Sequence, residues 1–600
     1  MTKDIFPIVI SEDRDNNLTD FGKATLKDRY LLENETPQEM FVRVARTFAN
    51  DAEHAQRLYD YMSNLWFCPA TPILSNGGTN RGLPISCFLS EIQDSMESIA
   101  ENITENFWLS SLGGGIGTYS GNLRSMGEEI KGVGKSSGII PFLKIQDSMT
   151  LAISQGGIRR ASAAIYLNIS HPEIEEFIDI RRPTGGDPNR RCLNLNNAIV
   201  IDDKFMKAVE SGSSYDLVSP KDNSVVKTIK ARDLWIKILT TRLETGEPYI
   251  MWIDTVNESI PHHHKKLNMK VKTSNLCSEI LLNTGIDYDG KNRTAVCCLS
   301  SLNLEKWDEW KDDSIFIKDV MYFLDNILSY FINNAPITHS SAKYSAFMER
   351  SVGLGVMGLH SLYQENNIPW ESEEAEELNR EIFQHINNQV VMANLQIGDE
   401  RGPCPDALKV DSSVRFSNAT AIAPTASISI ICGNTSAGIE PISANFYTHK
   451  TLSGSFPVKN RTLQKVLETH GKNTDKVWST IATNEGSVQH LKFLSDHEKN
   501  VFKTAFEIDQ NILIDHAADR QPFINQGQSL NIFIPPDISK KELHNIHMDA
   551  WKKNIKTLYY CRSKSIGRAE KPSEKVERVK IEVDEPKFCS IYNPSCESCQ

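Results

Sequence analysis

Short apolar runs alternate with helix-like periodicity through most of this chain, and that alternation constrains its fold more than any other feature. Runs at 196–201, 249–253, 276–282 and 295–304 read as strands. Helical patterns fall at 203–210, 231–245, 316–333, 340–364 and 372–400, and the β-branched run 419–431 ends at Gly433-Asn434. Late in the chain, 528–534 and 556–560 read as strands around a helix at 539–554. Strands interleaved with helices predict an α/β architecture with a large parallel or mixed sheet, or a barrel. At the front, Thr36-Pro37-Gln38-Glu39 is a capping box with proline at the first helical position, opening an amphipathic helix to about Trp66. A second helix is predicted from near Asp94 to the glycines at 113–115. After Arg562 the chain turns rich in Lys, Glu, Ser and Pro, the composition of a tail. The implied units are an N-terminal helical domain over 1–75, an α/β domain over 76–562 and a flexible tail over 563–600.

Composition narrows the function. The 600 residues carry a net charge of −12, which argues against nucleic acid as a partner. No stretch approaches the roughly 18 apolar residues of a membrane span, and the N-terminus, broken by Pro7 and ending in acids, is no signal peptide. A cytoplasmic protein with no membrane association is expected. Its twelve cysteines are then thiols, metal ligands or redox catalysts rather than structural disulfides. The only Cys-x-x-Cys is Cys596/Cys599, at the end of the charged tail. A zinc site needs about four ligands, and Cys297-Cys298 is the sole other close pair, so a mobile dithiol suggests disulfide exchange.

Other signals separate less cleanly. Gly132-Val133-Gly134-Lys135-Ser136 resembles a P-loop ending, but Glu129 stands where the first glycine belongs. Gly113–Gly117 fits no dinucleotide fingerprint, and reads either as a helix cap or as backbone brought close to a ligand. His262-His263-His264 lacks matching ligands and reads as a solvated loop; no metal site is expected. Pro424–Ser429 offers hydroxyls and amides at a turn, suited to phosphate or to an ordinary cap. Asn275, Cys277 and Glu279, at strand spacing, would place an amide, a thiol and a carboxylate on one side; a buried structural cysteine is the plainer alternative. Tyr559-Tyr560 reads as packing.

Taken together and in order, these segments resemble the large (α) subunit of class I ribonucleotide reductase. The resemblance is carried by Pro69-Ala70-Thr71-Pro72, Ser86-Cys87, Gly113–Gly117, Ser154–Arg159, Asn275-x-Cys277-x-Glu279, Cys297-x-Leu299-Ser300, Pro424–Ser429, Gly438-Ile439-Glu440-Pro441, Tyr559-Tyr560 and the tail dithiol. It implies a ten-stranded α/β barrel around a finger loop, preceded by a small helical domain. It also implies an enzyme that converts ribonucleoside diphosphates to 2′-deoxyribonucleoside diphosphates for DNA precursor synthesis. Cys277 would be the thiyl-radical site, Glu279 the base for the 3′-hydroxyl and Asn275 a ribose ligand. Cys87 and Cys297, 210 residues apart, would supply the reducing electrons and end as a disulfide. That requires Cα atoms about 4.4–6.8 Å apart. The Cys-x-Leu-Ser pattern selects Cys297 and leaves Cys298 a bystander.

Tyr559 and Tyr560 would pass the radical from a β subunit that carries the radical metallocofactor; no cofactor is bound covalently in this chain. Cys596 and Cys599 would re-reduce the site and be reduced in turn by thioredoxin or glutaredoxin. Cys596 lies 34 positions after Arg562, a reach of about 30–35 Å for a flexible chain. Thr71, Ser86 and Gly114 would contact substrate, and Thr425, Ser427 and Ser429 its phosphates. Ala426 and Ile428 stand where some relatives have polar side chains, which shifts phosphate binding toward backbone amides. Asp94, Ser95, Arg124, Gln155 and Arg159 match the site for nucleotide effectors (ATP, dATP, dTTP, dGTP), in an α homodimer. Only 86 residues precede Cys87, too few for the N-terminal ATP cone of many members. A form lacking the cone is therefore expected.

The alternatives are a cobalamin-dependent (class II) reductase, which would lack the Tyr-Tyr pair, and a nucleotide-binding regulator without catalysis, which the intact cysteine–glutamate set disfavours. A thiol–disulfide oxidoreductase acting on proteins would carry its Cys-x-x-Cys at a helix start rather than on a charged tail.

Overall fold

The computed structural model describes residues 6–155, 159–451 and 454–563. Three helices, Asp20–Arg29, Pro37–Phe48 and Ala52–Ser63, form the N-terminal layer. The capping box is formed: Thr36 Oγ1 accepts from the Glu39 amide, and Glu39 returns the bond to the Thr36 amide. The single helix expected to reach Trp66 is two. Asp51 takes extended backbone and its carboxylate accepts from the His54 amide at 2.8 Å, starting the second helix; such a cap contributes about 1 kcal/mol. Arg57 then reaches Asp319 at 2.6 Å, fastening this layer to the long helix Phe316–Asn334.

Five adjacent strands run parallel: Cys87–Glu91, Gly115–Tyr119, Ala163–Asn168, Leu195–Ile201 and Tyr249–Trp252. Ala295–Cys297 flanks this sheet antiparallel to the first strand, and Thr557–Leu558 antiparallel to the last. The second half begins with Leu299–Asn303 parallel to Gly353–Met357. It continues through single parallel bridges, Leu354 to Thr420 and Ile422 to Gln528, and through Ile532–Ile534 parallel to Cys561–Ser563. The runs 295–303 and 557–563 each start in one half and finish in the other, so these two runs tie the halves of the barrel together.

Side-chain alternation along the strands separates two apolar cores. Leu195, Ile199 and Ile201 face the large outer core with the helices. Ala198 and Val200 join Ala164, Tyr166, Tyr249, Met251, Leu276, Cys277, Tyr559 and Tyr560 in a smaller inner cluster.

Several expected elements differ. Residues 276–282 are not a strand but the tip and return of a loop threaded through the inner cluster. The pattern 340–364 is a helix (Ser340–Glu349), a strand (Gly353–Met357) and a second helix (Leu359–Glu365). The run 419–431 holds only single bridges before a four-residue helix at Ile428–Ile431. His262–His264 is no solvated loop: His263 and His264 are buried on a short helix, with His263 bonded to Ser417 and His264 beside Asn283. Among the described residues there is no group of His, Cys, Asp and Glu that could hold a metal, and no helix is long and apolar enough to cross a membrane.

Candidate active site

The site is where the first strand, the run 295–303 and the inner loop converge. Cys87 opens its strand, Cys297 ends the antiparallel neighbour, and the two residues are direct register partners. Paired residues of an antiparallel ladder lie about 4.5–5.5 Å apart at Cα, inside the range a disulfide needs. Their thiols are within hydrogen-bonding reach, and burial together with the adjacent Cys87 holds the Cys297 thiol well above its ordinary pKa. Cys298 points the other way, its Sγ near the Leu324 carbonyl. Strand alternation thus selects Cys297.

Asn275, Cys277 and Glu279 are all fully buried, on a turn rather than a strand. The Ser278 amide donates to the Asn275 carbonyl, and Ser278 takes a left-handed φ of 70°. Asn275 Oδ1 accepts from the amides of Glu279 and Ile280, both at 3.1 Å, so the asparagine shapes the turn as well as facing the site. Its Nδ2 lies 3.6 Å from the Cys87 sulfur. Buried backbone groups need partners, and the barrel walls supply them. Tyr166 Oη donates to the Asn275 carbonyl (2.7 Å), Ser529 Oγ to that of Cys277 (2.7 Å) and Thr557 Oγ1 to that of Ser278 (2.8 Å). Gln526 Oε1 accepts from the Leu281 amide. Gly117 makes room for the crossing: a Cβ there would sit 2.0 Å from the Ser274 carbonyl oxygen.

Burial pushes the Glu279 carboxyl up to about 8, and Cys87 adds to that push; hydrogen bonds from its own amide, Asn275 and Ser529 pull the other way. Glu279 Oε2 lies 3.1 Å from Ser529 Oγ, whose one hydrogen it shares with the Cys277 carbonyl, while Oε1 is buried without a partner among the described residues. A carboxyl whose pKa is raised to about 8, beside two thiols, is suited to acid–base chemistry.

Tyr559 and Tyr560 are buried with ring centroids 4.3 Å apart, and Tyr249 lies 4.7 and 5.0 Å from them. All three rings pack in the cluster that contains Cys277. Thr71 is buried with its hydroxyl 2.7 Å from Tyr30 Oη. Ser86 lies next to Cys87, its carbonyl accepting from Gly115, and Gly114 rests on the Phe88 ring. Thr425, Ser427 and Ser429 are buried. Thr425, at φ 53°, accepts from the Gly438 amide, which joins two of the sequence segments singled out above.

Asp94, Ser95 and Arg124 meet at the start of the helix Met96–Ser111. The cap is Ser95 rather than Asp94; the Asp94 carboxylate instead pairs with Arg124 at 2.8 Å. Gln155 and Arg159 are register partners in a short antiparallel ladder, and nothing further is described of them. Cys596 and Cys599 lie outside the described residues. The loop's supports (Tyr166, Gln526, Ser529, Thr557) and Tyr249 were not found by sequence reasoning. Each is one residue on an ordinary strand or loop, and its role exists only across 100 or more residues of intervening chain.

The sequence profile of the ribonucleotide reductase barrel domain matches residues 85–409 and 406–561, and that of the all-alpha domain matches 16–82. The chain is 42% identical to the ribonucleoside-diphosphate reductase large subunit of Invertebrate iridescent virus 3, over 93% of this chain and 96% of that one. It is 32% identical to the α subunit of Chlamydia muridarum, covering 93% of this chain and 60% of that longer protein. Among solved structures, the class Id ribonucleotide reductase α subunit of Actinobacillus ureae is similar, with a TM-score of 0.81 at 34% identity, covering 92% of this chain and 98% of that one. The thiol pair on adjacent strands, the inner loop and these matches along almost the whole chain lead to one assignment: this chain belongs to the ribonucleotide reductase large-subunit family.

Proposed function

We propose that this subunit reduces ribonucleoside diphosphates to 2′-deoxyribonucleoside diphosphates by thiyl-radical chemistry. The observation that carries the proposal is the convergence of Cys87, Cys297, Asn275 and Glu279 with the loop bearing Cys277. A Cys277 thiyl takes the ribose 3′-hydrogen, and Glu279 accepts the 3′-hydroxyl proton. The 2′-hydroxyl leaves as water with a proton from the Cys87/Cys297 pair. That pair gives up two electrons and becomes a disulfide, its second hydrogen going to C2′; Glu279 returns its proton to the 3′-oxygen, and Cys277 returns the hydrogen to C3′. The sum is one diphosphate and two thiols converted to one deoxynucleotide, one disulfide and water. Thr71, Ser86 and Gly114 line the ribose side and Thr425, Ser427 and Ser429 the phosphates.

A β subunit supplies the oxidising equivalent, and Tyr559 and Tyr560 carry it inward. Their contact with the Cys277 cluster supports this over a cobalamin-dependent route. Cys596 and Cys599 regenerate the thiols, with thioredoxin or glutaredoxin as the outer reductant. Such exchange suits the cytoplasm, and the nine cysteines among the described residues are all buried thiols. Nucleoside triphosphates (ATP, dATP, dTTP, dGTP) act at Asp94, Ser95, Arg124, Gln155 and Arg159. The helices Met96–Ser111 and Ile140–Ala152 present exposed Met96, Phe107, Trp108, Ile145 and Leu151, which supports an α homodimer across them. The working units are the helical domain (1–75), the barrel (76–562) and the redox tail (563–600).

The test is deoxynucleotide formation by the complete chain with a β subunit and without cobalamin. Cys277→Ser should lose activity more than about 10⁴-fold while binding diphosphate within about twofold of the parent. Deoxynucleotide production by that variant would overturn the assignment.

A further inference from the structure

Asn196 sits on the strand Leu195–Ile201, between the tyrosine rings and a buried carboxylate. Its Nδ2 lies 2.7 Å from Glu247 Oε1, 2.7 Å from Tyr249 Oη and 3.0 Å from Tyr560 Oη. Both Asn196 and Glu247 are almost completely buried. Glu247 is itself held by the Asn197 amide at 3.1 Å and by Arg181, whose Nε lies 3.3 Å from Oε2. Charged groups beside the rings among the described residues include Arg562, 5.4 Å from the Tyr560 centroid, and Arg242, which donates to the Tyr559 carbonyl.

An amide nitrogen carries two hydrogens, and here three oxygens lie within reach. The carboxylate takes one in a charge-assisted bond. It also fixes the orientation of the amide, because turning the group over would set Asn196 Oδ1 against a carboxylate oxygen. The second hydrogen is left for two phenols. A phenol oxygen that accepts from an amide keeps its own proton for a different partner, so the amide dictates the direction in which each phenol can release a proton.

We propose that Asn196 is the positioning residue of the tyrosine relay: one N–H, aimed by Glu247, is shared between Tyr249 and Tyr560 and sets the side from which Tyr560 gives and takes its proton. This rests on the relay reading of Tyr559 and Tyr560 above. It makes Tyr249 a competitor for the hydrogen bond that Tyr560 uses.

A donor on the phenol oxygen favours the ionised form. The probe is 3,5-difluorotyrosine at position 560 of the complete chain, titrated by phenolate absorbance. Asn196→Leu should raise its midpoint by about 0.5–1 pH unit. Tyr249→Phe, which deletes a single hydroxyl, should lower it, because Tyr560 then receives the shared hydrogen undivided. In the holoenzyme with natural tyrosine at 560, Asn196→Leu should cut kcat about tenfold with KM for the diphosphate unchanged. Titration curves of both variants that overlay the parent would overturn the proposal, and the Tyr249→Phe curve suffices if Asn196→Leu does not fold. The relay reading fails separately: Tyr560→Phe with undiminished turnover would remove it, whereas an inactive Tyr560→Phe beside unmoved titrations would remove the Asn196 proposal alone.

Discussion

The thiol pair adjoins the inner loop that bears Cys277, with the Asn275 amide nitrogen 3.6 Å from the Cys87 sulfur, yet pair and loop are held by opposite means. Cys87 and Cys297 are register partners of an antiparallel ladder, so the sheet fixes their separation and neither needs a dedicated side chain to hold it. Cys277 sits on a turn with no ladder. Its backbone is held by Tyr166, Ser529, Thr557 and Gln526, reaching in from distant parts of the chain. In the proposed reaction, a pair that closes to a disulfide and reopens has its spacing preset by the ladder, and a thiol that meets one hydrogen atom of a substrate is fixed by many long-range bonds, each separately breakable. The pair should therefore tolerate changes around it, and the loop should not.

Glu279→Gln should have the largest effect at the loop. Removing a proton acceptor costs about 10²–10⁴ in rate. In the proposed role Glu279 acts as the carboxylate, and burial raises its pKa to about 8. In the parent, kcat/KM should therefore rise with pH through about 8 and fall as the carboxyl protonates below it. The glutamine variant should lose that rise, and a pH–rate series checks both.

Gly117→Ala comes next. The new Cβ would fall 2.0 Å from the Ser274 carbonyl oxygen and 2.9 Å from the Asn275 Cα, so the loop must shift. A displacement of about 1 Å costs on the order of 10² in rate. Overpacking adds about 1–3 kcal/mol of lost stability. Steady-state kinetics beside a thermal melt measures both.

Ser529→Ala is milder. It strips the partner from the buried Cys277 carbonyl, costing about 1–3 kcal/mol. It also removes a bond that lowers the Glu279 pKa, so the rising limb of the pH profile should move upward. Cys298→Ala, one residue from the reducing pair but facing Leu324, should change turnover less than about twofold while lowering stability modestly. A large kinetic loss in Cys298→Ala would break the comparison, since it would mean the ladder does not separate the two neighbours.

What the sequence disclosed follows the same division. The strands at 196–201 and 249–253 stand where their continuous apolar runs put them, buried on both faces, and the helices at 231–245 and 316–333 stand where their period puts them. The run 276–282 reads as a strand from its apolar residues and is a loop, because Leu276, Cys277 and Leu281 pack in the inner cluster while Ile280 and Leu282 pack in the large core, and its backbone bonds to distant side chains. Gly353–Met357 was hidden inside a helical pattern, because a strand buried on both faces lacks the two-residue alternation. His263 and His264 look like loop residues because their partners, Ser417 and Asn283, are invisible to local reading. The candidate site residues were legible through their resemblance to a family, not through spacing: the spacing of Asn275, Cys277 and Glu279 suggested a strand that does not exist.

The central claim is that Cys87 and Cys297 supply the electrons and Cys277 does not. A single turnover tests it directly. The chain is reduced and freed of reductant, with Cys596→Ser and Cys599→Ser blocking re-reduction, then given β subunit and one diphosphate. Thiol labelling and peptide mapping follow. The account predicts one deoxynucleotide per active chain and a disulfide joining Cys87 to Cys297, with Cys277 and Cys298 still free. Deoxynucleotide formed while Cys87 and Cys297 remain thiols, or with Cys277 in the disulfide, would contradict it.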